Sequence, residues 1–207
     1  MAIWWMTEAI SVYVTALLPL VLFPLIGVAS IRETASSYGH EIVFLFLGGF
    51  LVALALEKWN LHRRLALTVL AAVRPQPRLI IGGFMLVSAA LSMWVTNTAT
   101  TIMLLPVAMS VIRMLPDSAG PDGDSQSFPV CLLLGIAYAA SVGGMGTIIG
   151  TTPNAFIVSF VQDELNRTIS FFEWMRFAVP VVIVLVPIIW WVLTHWVFRL
   201  PENELPG

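Results

Sequence analysis

The stretch Gly143-Gly144-Met145-Gly146-Thr147-Ile148-Ile149-Gly150-Thr151-Thr152-Pro153-Asn154 interrupts an otherwise apolar part of the chain. Four glycines within eight residues, followed by a proline, cannot maintain a regular helix. Ile148 and Ile149 are nevertheless too apolar for an ordinary loop in water. Irregular backbone at membrane depth is tolerated only where it lines a cavity or is buried in protein. The stretch therefore predicts a helix, over residues 130–161, that is broken within a membrane.

The composition of the whole chain favours a membrane environment. Of its 207 residues, 58% are hydrophobic and only 11% are charged, against roughly 25% charged residues in an ordinary soluble domain. The mean hydropathy is +0.91. A net charge of −2 provides no basic surface for nucleic acid. We therefore predict an all-α membrane protein with one membrane domain over residues 1–207, surrounded by a lipid bilayer and without a nucleic-acid partner.

Apolar stretches upstream and downstream of the break predict further membrane spans. Because about 20 apolar residues cross a bilayer, we expect spans at 10–28 and 42–56, both within the segment 1–64. The polar stretch 30–41 between them is expected to be a loop. A last span is expected at 175–199, because tryptophans near its end are typical of a membrane interface.

A basic segment lies between the early spans and the break. Five basic residues and no acidic residue occur between positions 58 and 78, which predicts a cytoplasmic location by the positive-inside rule. The apolar run within it is too short to span a bilayer. We expect a helix in the cytoplasmic interface over residues 65–78, ended by Pro75 and Pro77.

A polar cluster, Thr96-Asn97-Thr98, divides the apolar region 79–114. Two interpretations remain open from the residues alone. The region forms either two full spans joined by a polar turn at the far surface, or a re-entrant hairpin whose arms meet near the midplane. The acidic loop 116–127 fits both, since acidic residues contribute little to orientation.

The polar cluster and the glycine-rich break are both neutral and embedded in apolar sequence. Taken singly, the polar cluster is explained as well by a capped turn as by a binding site, and the glycine-rich break as well by a tight helix crossing. Together they favour a binding site. Backbone and side-chain oxygens suit sodium, and helix N-termini with amide or hydroxyl donors suit a carboxylate.

Other candidate groups point to no enzyme. His40, His62 and His195 have no metal-ligand spacing. The aspartates lie in loops remote from any histidine, which gives no support to a hydrolytic triad. Glu8 and Glu57 are candidates for a proton-coupling acid, but both lie at span ends, where headgroup contact is the ordinary role.

Several strings in the chain resemble the divalent anion:sodium symporters, a family that carries dicarboxylates, citrate or sulfate. The resemblance covers nearly the whole chain and rests on the break described above and on three further strings: Leu91-Ser92-Met93-Trp94-Val95-Thr96-Asn97-Thr98-Ala99-Thr100, Leu45-Phe46-Leu47-Gly48-Gly49-Phe50 and Glu57-Lys58-Trp59-Asn60-Leu61-His62-Arg63-Arg64.

The resemblance implies an ion-transporter-type fold built from two inverted repeats. Each repeat has a re-entrant hairpin and a broken helix, and the complete protein is a homodimer held by scaffold helices. The chain resembles the first repeat, with scaffold spans in 1–64, the hairpin at 79–114 and the broken helix at 130–161. No second Thr-Asn-Thr element follows Asn154, so about half of the transporter is expected here.

The resemblance also implies the site residues. Asn97 is expected to serve both ligands, its amide oxygen facing the cation and its NH2 group the anion. The implied sodium-binding residues are Ser92, Thr96, Asn97, Gly146 and Gly150. The implied substrate-binding residues are Thr96, Asn97, Thr98, Thr151, Thr152 and Pro153. The sequence departs from the family pattern at Thr96, where Ser is usual, and at Thr152, where Pro is usual.

The function implied by the resemblance is sodium-coupled transport of a divalent anion, such as a dicarboxylate or citrate. Sodium would be the coupling ion, with no organic cofactor, in a multi-pass protein of the inner (cytoplasmic) membrane. The alternatives are a permease that uses protons or carries another oxyanion, and a truncated membrane fragment that does not transport.

Overall fold

A computed structural model describes residues 2–114, 127–198 and 200, and within these residues it contains helices and no β-strand. A 3-10 turn, Gly144–Gly146, follows α8, and a π-helical turn, Leu193–Val197, follows α10. The helices are α1 (Ala2–Thr7), α2 (Val12–Leu25), α3 (Ile31–Tyr38), α4 (Glu41–Lys58), α5 (Leu61–Ala72), α6 (Pro77–Ser92), α7 (Asn97–Met114), α8 (Ser127–Gly143), α9 (Thr152–Leu165) and α10 (Phe171–Val192). The all-α prediction is confirmed.

Among the described residues, three helical stretches are long and apolar enough to cross a membrane: Ile31–Lys58, Ser127–Gly146 and Phe171–Val197. Large apolar side chains on them, such as Phe44 and Ile183, are exposed in the folded chain. Such surfaces are stable when they face lipid, because burial of apolar area in hydrocarbon is favourable. The chain is therefore built as an integral membrane protein with several membrane passes.

The chain divides into two compact units, Met1–Leu47 and Gly48–Gly207. In the first unit, the expected loop at 30–41 is wrong, because α3 occupies most of it. A capping box starts this helix: Glu33 N donates to Ser30 Oγ at 3.2 Å, and Ser30 N donates to Glu33 Oε2 at 2.8 Å. Tyr38 Oη donates to Ala16 O and so joins α3 to α2.

The predicted span at 10–28 forms a shorter helix than expected. α2 contains 14 residues, a length of about 21 Å at 1.5 Å per residue. It contains Pro19 and Pro24, and positive φ at Gly27 follows its end. α2 alone is thus shorter than the roughly 30 Å hydrocarbon core.

The core of the second unit lies where α6 packs against α8. Phe84, Met85 and Ile136 are fully buried there. A Cβ on Gly143 would lie 2.4 Å from Ala89 O, so the two helix backbones touch at this point. Ser88 Oγ donates to Ile136 O at 2.8 Å, which satisfies a buried hydroxyl across the same interface.

The basic segment forms a helix, but with other bounds than expected. α5 ends at Ala72, and Pro77 starts α6 instead of ending the interfacial helix. Proline suits the first position of a helix because its missing N–H needs no partner there and its φ is already helical.

The last helix begins earlier than the predicted segment 175–199. A second capping box starts it at Phe171: Glu173 N donates to Ser170 Oγ at 3.2 Å, and Ser170 N donates to Glu173 Oε2 at 2.8 Å. Near its other end, Trp190 Nε1 donates to Arg78 O at 2.8 Å. Arg199 and residues 116–126 of the predicted acidic loop 116–127 lie outside the described residues.

Candidate functional site

The connection between α6 and α7 forms a polar tip. Ser92 Oγ donates to Asn97 Oδ1 at 2.8 Å. Thr96 precedes α7, and its Oγ1 accepts a long hydrogen bond of 3.4 Å from Ala99 N, as an N-cap residue does. Thr98 is exposed. The tip therefore fixes the Asn97 amide oxygen beside the Ser92 hydroxyl.

The helix is interrupted at the glycine-rich stretch. α8 ends at Gly143 and α9 begins at Thr152, with only the 3-10 turn between them. Asn154, which is buried, closes the break: its Nδ2 donates to Gly144 O at 2.9 Å and to Thr147 O at 2.8 Å. Gly150 N donates to Thr147 Oγ1 at 3.1 Å. Several backbone groups of the irregular stretch thus find hydrogen-bond partners within it, as burial in a membrane protein requires.

The tip and the break are in direct contact. Thr147 Oγ1 donates to Met93 O across this contact. A Cβ on Gly144 would lie 2.2 Å from Asn97 Oδ1, and a Cβ on Gly150 would lie 2.4 Å from Gly144 O and 2.8 Å from Ser92 O. Only glycine leaves room for oxygens at these positions.

The contact concentrates neutral oxygen atoms around two glycines. They are Ser92 Oγ, Asn97 Oδ1 and the backbone oxygens of Ser92, Gly144 and Gly150. Among the described residues, no charged side chain is among the groups that make this contact. Hard cations bind to carbonyl, amide and hydroxyl oxygens, so this oxygen cluster has the chemistry of a sodium site.

The structure brings together part of the predicted site. Of the implied sodium-binding residues, Ser92, Asn97 and Gly150 meet at the oxygen cluster. Gly146 faces elsewhere: a Cβ there would lie 2.9 Å from Met93 Cε. Thr96 lies in the turn that leads into α7.

The implied substrate-binding residues lie at two helix starts. Thr98 is in the first turn of α7, while Thr152 and Pro153 are in the first turn of α9, and all three are exposed. Thr151 is half-buried and precedes α9.

Sequence reasoning missed three residues of this contact, namely Gly144, Thr147 and Asn154. All three belong to the quoted glycine-rich stretch. A usable signal existed for two of them, because a polar side chain within an irregular membrane segment needs a hydrogen-bond partner. No sequence pattern revealed that Gly144 faces Asn97.

Asn154→Leu is expected to lower the free energy of unfolding by about 2 kcal/mol or more, because two buried carbonyl groups lose their donor. For a chain of this size, that lowers Tm by roughly 4 to 8 °C. Differential scanning fluorimetry of the purified chain in detergent measures it. Ser159→Ala, on the same helix, is the matched control, since its Oγ has only a weak 3.4 Å contact with Asp163. Equal Tm values for the two variants would contradict the bracing role of Asn154.

Comparisons with known proteins were made over the whole chain. Residues 2–205 match the model of a family described as citrate transporter. The chain is 41% identical over 209 residues to the sodium-dependent dicarboxylate transporter SdcS of Staphylococcus aureus, with the same value for the proteins of strains NCTC 8325, COL and Mu50. Each match covers 100% of this chain and 40% of the relative. The chain thus spans about 40% of the length of these curated relatives.

Proposed function

Because the chain belongs to the citrate transporter family, we propose that it forms about half of a transporter that couples sodium to the movement of a divalent anion such as a dicarboxylate. The observation that carries this proposal is the oxygen cluster where the tip meets the break. The name of the S. aureus relative, a sodium-dependent dicarboxylate transporter, supports sodium as the coupling ion and a dicarboxylate as the substrate.

Sodium binds, in this proposal, at the oxygen cluster. Ser92, Asn97 and Gly150 supply the oxygens, with Thr96 and Gly146 in the adjoining backbone. Sodium is favoured over a proton as the coupling ion, because the described contact contains no Asp, Glu or His that could carry a proton.

The anion binds beside the cation, at the two helix starts. α7 begins at Asn97 and α9 at Thr152, and both N-termini carry partial positive charge with N–H groups that lack intrahelical partners. The exposed Thr98 and Thr152 add hydroxyl donors there, and Asn97 can donate through its NH2 group. This arrangement suits a carboxylate.

The hairpin 79–114 is proposed to be re-entrant. α6 and α7 contain 16 and 18 residues, about 24 and 27 Å long. Both lengths are below the roughly 30 Å hydrocarbon core. The contact of the tip with the irregular break supports a tip inside the bilayer, because irregular backbone is tolerated at membrane depth where it is buried in protein.

Alternating access then follows from rigid-body movement. The hairpin and the broken helix 130–161 form the moving unit, residues 1–64 belong to the scaffold, and 65–78 lies at the cytoplasmic surface. We place the complete protein, as a homodimer, in the inner membrane of a bacterium.

Sodium-dependent stabilisation of the chain tests the proposal. At a sodium concentration 100 times Kd, binding adds about 2.7 kcal/mol of stability, which raises Tm by about 5 to 10 °C in a chain of this size. The comparison is between sodium chloride and choline chloride at equal ionic strength, with the chain in detergent. Identical Tm values in the two salts would overturn the sodium site.

Uptake by proteoliposomes tests the half-transporter part. We expect no sodium-dependent succinate or citrate uptake by the inserted chain alone, because it supplies one hairpin and one broken helix. Sodium-dependent uptake would show that copies of the chain assemble a complete site. Uptake driven only by a proton gradient would favour the proton-coupled alternative.

A further inference from the structure

The first turn of α10 contacts both halves of the candidate site. Phe171 and Trp174 are three residues apart and therefore lie on one face of the helix. The Phe171 ring lies 6.3 Å from the ring of Trp94, in the tip. Trp174 Nε1 donates to Met145 O, in the break, at 2.9 Å. One helical turn thus bridges the two segments that form the oxygen cluster.

A capping box fixes the residue at which α10 begins. Ser170 and Glu173 exchange two hydrogen bonds at the start of α10, which defines where the helix begins. Phe171 and Trp174 are the residues that this start places against the site. Because an aromatic side chain has only two rotatable bonds, it holds a contact at low conformational cost.

The bond to Met145 acts on the most adaptable part of the break. Met145 lies between two glycines, whose backbones adopt many conformations. Asn154 holds the carbonyl groups of Gly144 and Thr147 from within the break. Trp174, on a separate helix, binds the carbonyl group of Met145, which lies between these two residues. It therefore restricts the backbone next to Gly144, whose Cα faces Asn97 Oδ1.

We propose that Phe171 and Trp174 form an aromatic clamp, a pair of positioning residues that holds the tip and the break at sodium-binding distance and thereby sets sodium affinity and ion-size selectivity. This inference rests on the proposed sodium site. Neither residue needs to contact the ion. A site that is held rigidly discriminates between cations of different radius, whereas a loosened site adapts to both.

Trp174→Phe tests the clamp, because it keeps an aromatic ring and removes the N–H donor. Loss of one hydrogen bond is expected to raise the sodium concentration at half-saturation about fivefold, equivalent to about 1 kcal/mol. Sodium and lithium titrations of the purified chain, followed by Tm, give both affinities. The ratio of sodium to lithium affinity is expected to move towards one. Trp196→Phe is the control, since Trp196 is exposed near the other end of the same helical stretch.

The outcomes separate the clamp from a purely structural role and from the sodium site itself. A lower Tm in choline with unchanged sodium affinity and an unchanged ion ratio would overturn the clamp. No sodium response in the unmodified chain would overturn the sodium site and the clamp with it. If Trp174→Phe does not fold, Phe171→Leu, which removes the ring contact with Trp94, replaces it with the same expectations.

Discussion

Gly144→Ala is expected to abolish sodium-dependent stabilisation while leaving the chain folded. The added Cβ would lie 2.2 Å from Asn97 Oδ1, the end of a side chain that is able to rotate away. The rotation breaks the hydrogen bond from Ser92 and removes an oxygen from the cluster. Loss of one ligand and distortion of the others are expected to weaken sodium binding by about 100-fold or more, equivalent to about 3 kcal/mol. The sodium dependence of Tm measures it.

Two glycine variants serve as comparisons. Gly143→Ala places its Cβ 2.4 Å from Ala89 O, a backbone atom, so it is expected to destabilise the packing of α6 on α8 in any salt. A Cβ on Gly48, inside α4, would meet nothing within 4 Å. The gain in helix propensity in Gly48→Ala is therefore expected to stabilise the folded chain by up to about 1 kcal/mol. A Gly144→Ala chain that retained the full sodium response would show that the cluster is not the binding site.

Asn97→Ala is expected to eliminate sodium-dependent uptake when it is placed in a complete transporter. It removes the amide oxygen proposed for sodium and the NH2 group proposed for the anion. In the isolated chain, the same substitution is expected to remove the sodium-dependent rise in Tm. Transport of radiolabelled succinate and the thermal shift measure the two effects.

Membrane insertion is expected to be unaffected by Asn97→Ala, because alanine is more apolar than asparagine and the flanking apolar helices are unchanged. Ser110→Ala, on an exposed part of α7, is the control, since Ser110 Oγ donates only to Pro106 O of its own helix. Sodium-dependent uptake equal to that of the unmodified protein would remove Asn97 from the site.

Local patterns predicted the broken helix and the polar tip, because their causes are local. Four glycines within eight residues weaken a helix locally, and Pro153 suits the first turn of the helix that follows. The same reasoning overlooked α3, although Ser30 and Glu33 have the spacing of a capping box. The polar composition of this stretch is typical of a loop, but the capping box at Ser30 and Glu33 starts a helix there. Pro77 likewise starts a helix. From its position after the apolar run alone, a proline that ends one helix cannot be distinguished from one that starts the next.

The contact between tip and break was not predictable from the residues alone. Thr147 and Met93 are 54 positions apart, and no periodicity relates segments at that distance. The family resemblance implies Asn97 as a ligand, whereas only the folded structure shows that Gly144 lies against it, with a Cβ on Gly144 falling 2.2 Å from Asn97 Oδ1. Trp174 has no sequence signal, since tryptophan near a helix start in a membrane protein is ordinary interfacial chemistry.

The separation along the chain between the parts of the site has a consequence for biosynthesis. At about 5 to 20 residues per second, the ribosome finishes Met93 about 3 to 11 s before Thr147, given their 54-residue separation. A further 29 residues separate Met145 from Trp174. The polar tip is therefore synthesised before the break, and the Met93 carbonyl group, which later accepts from Thr147, depends on water or on the insertion machinery until then. The first turn of α10 is made last, so the site is completed only when that helix is inserted.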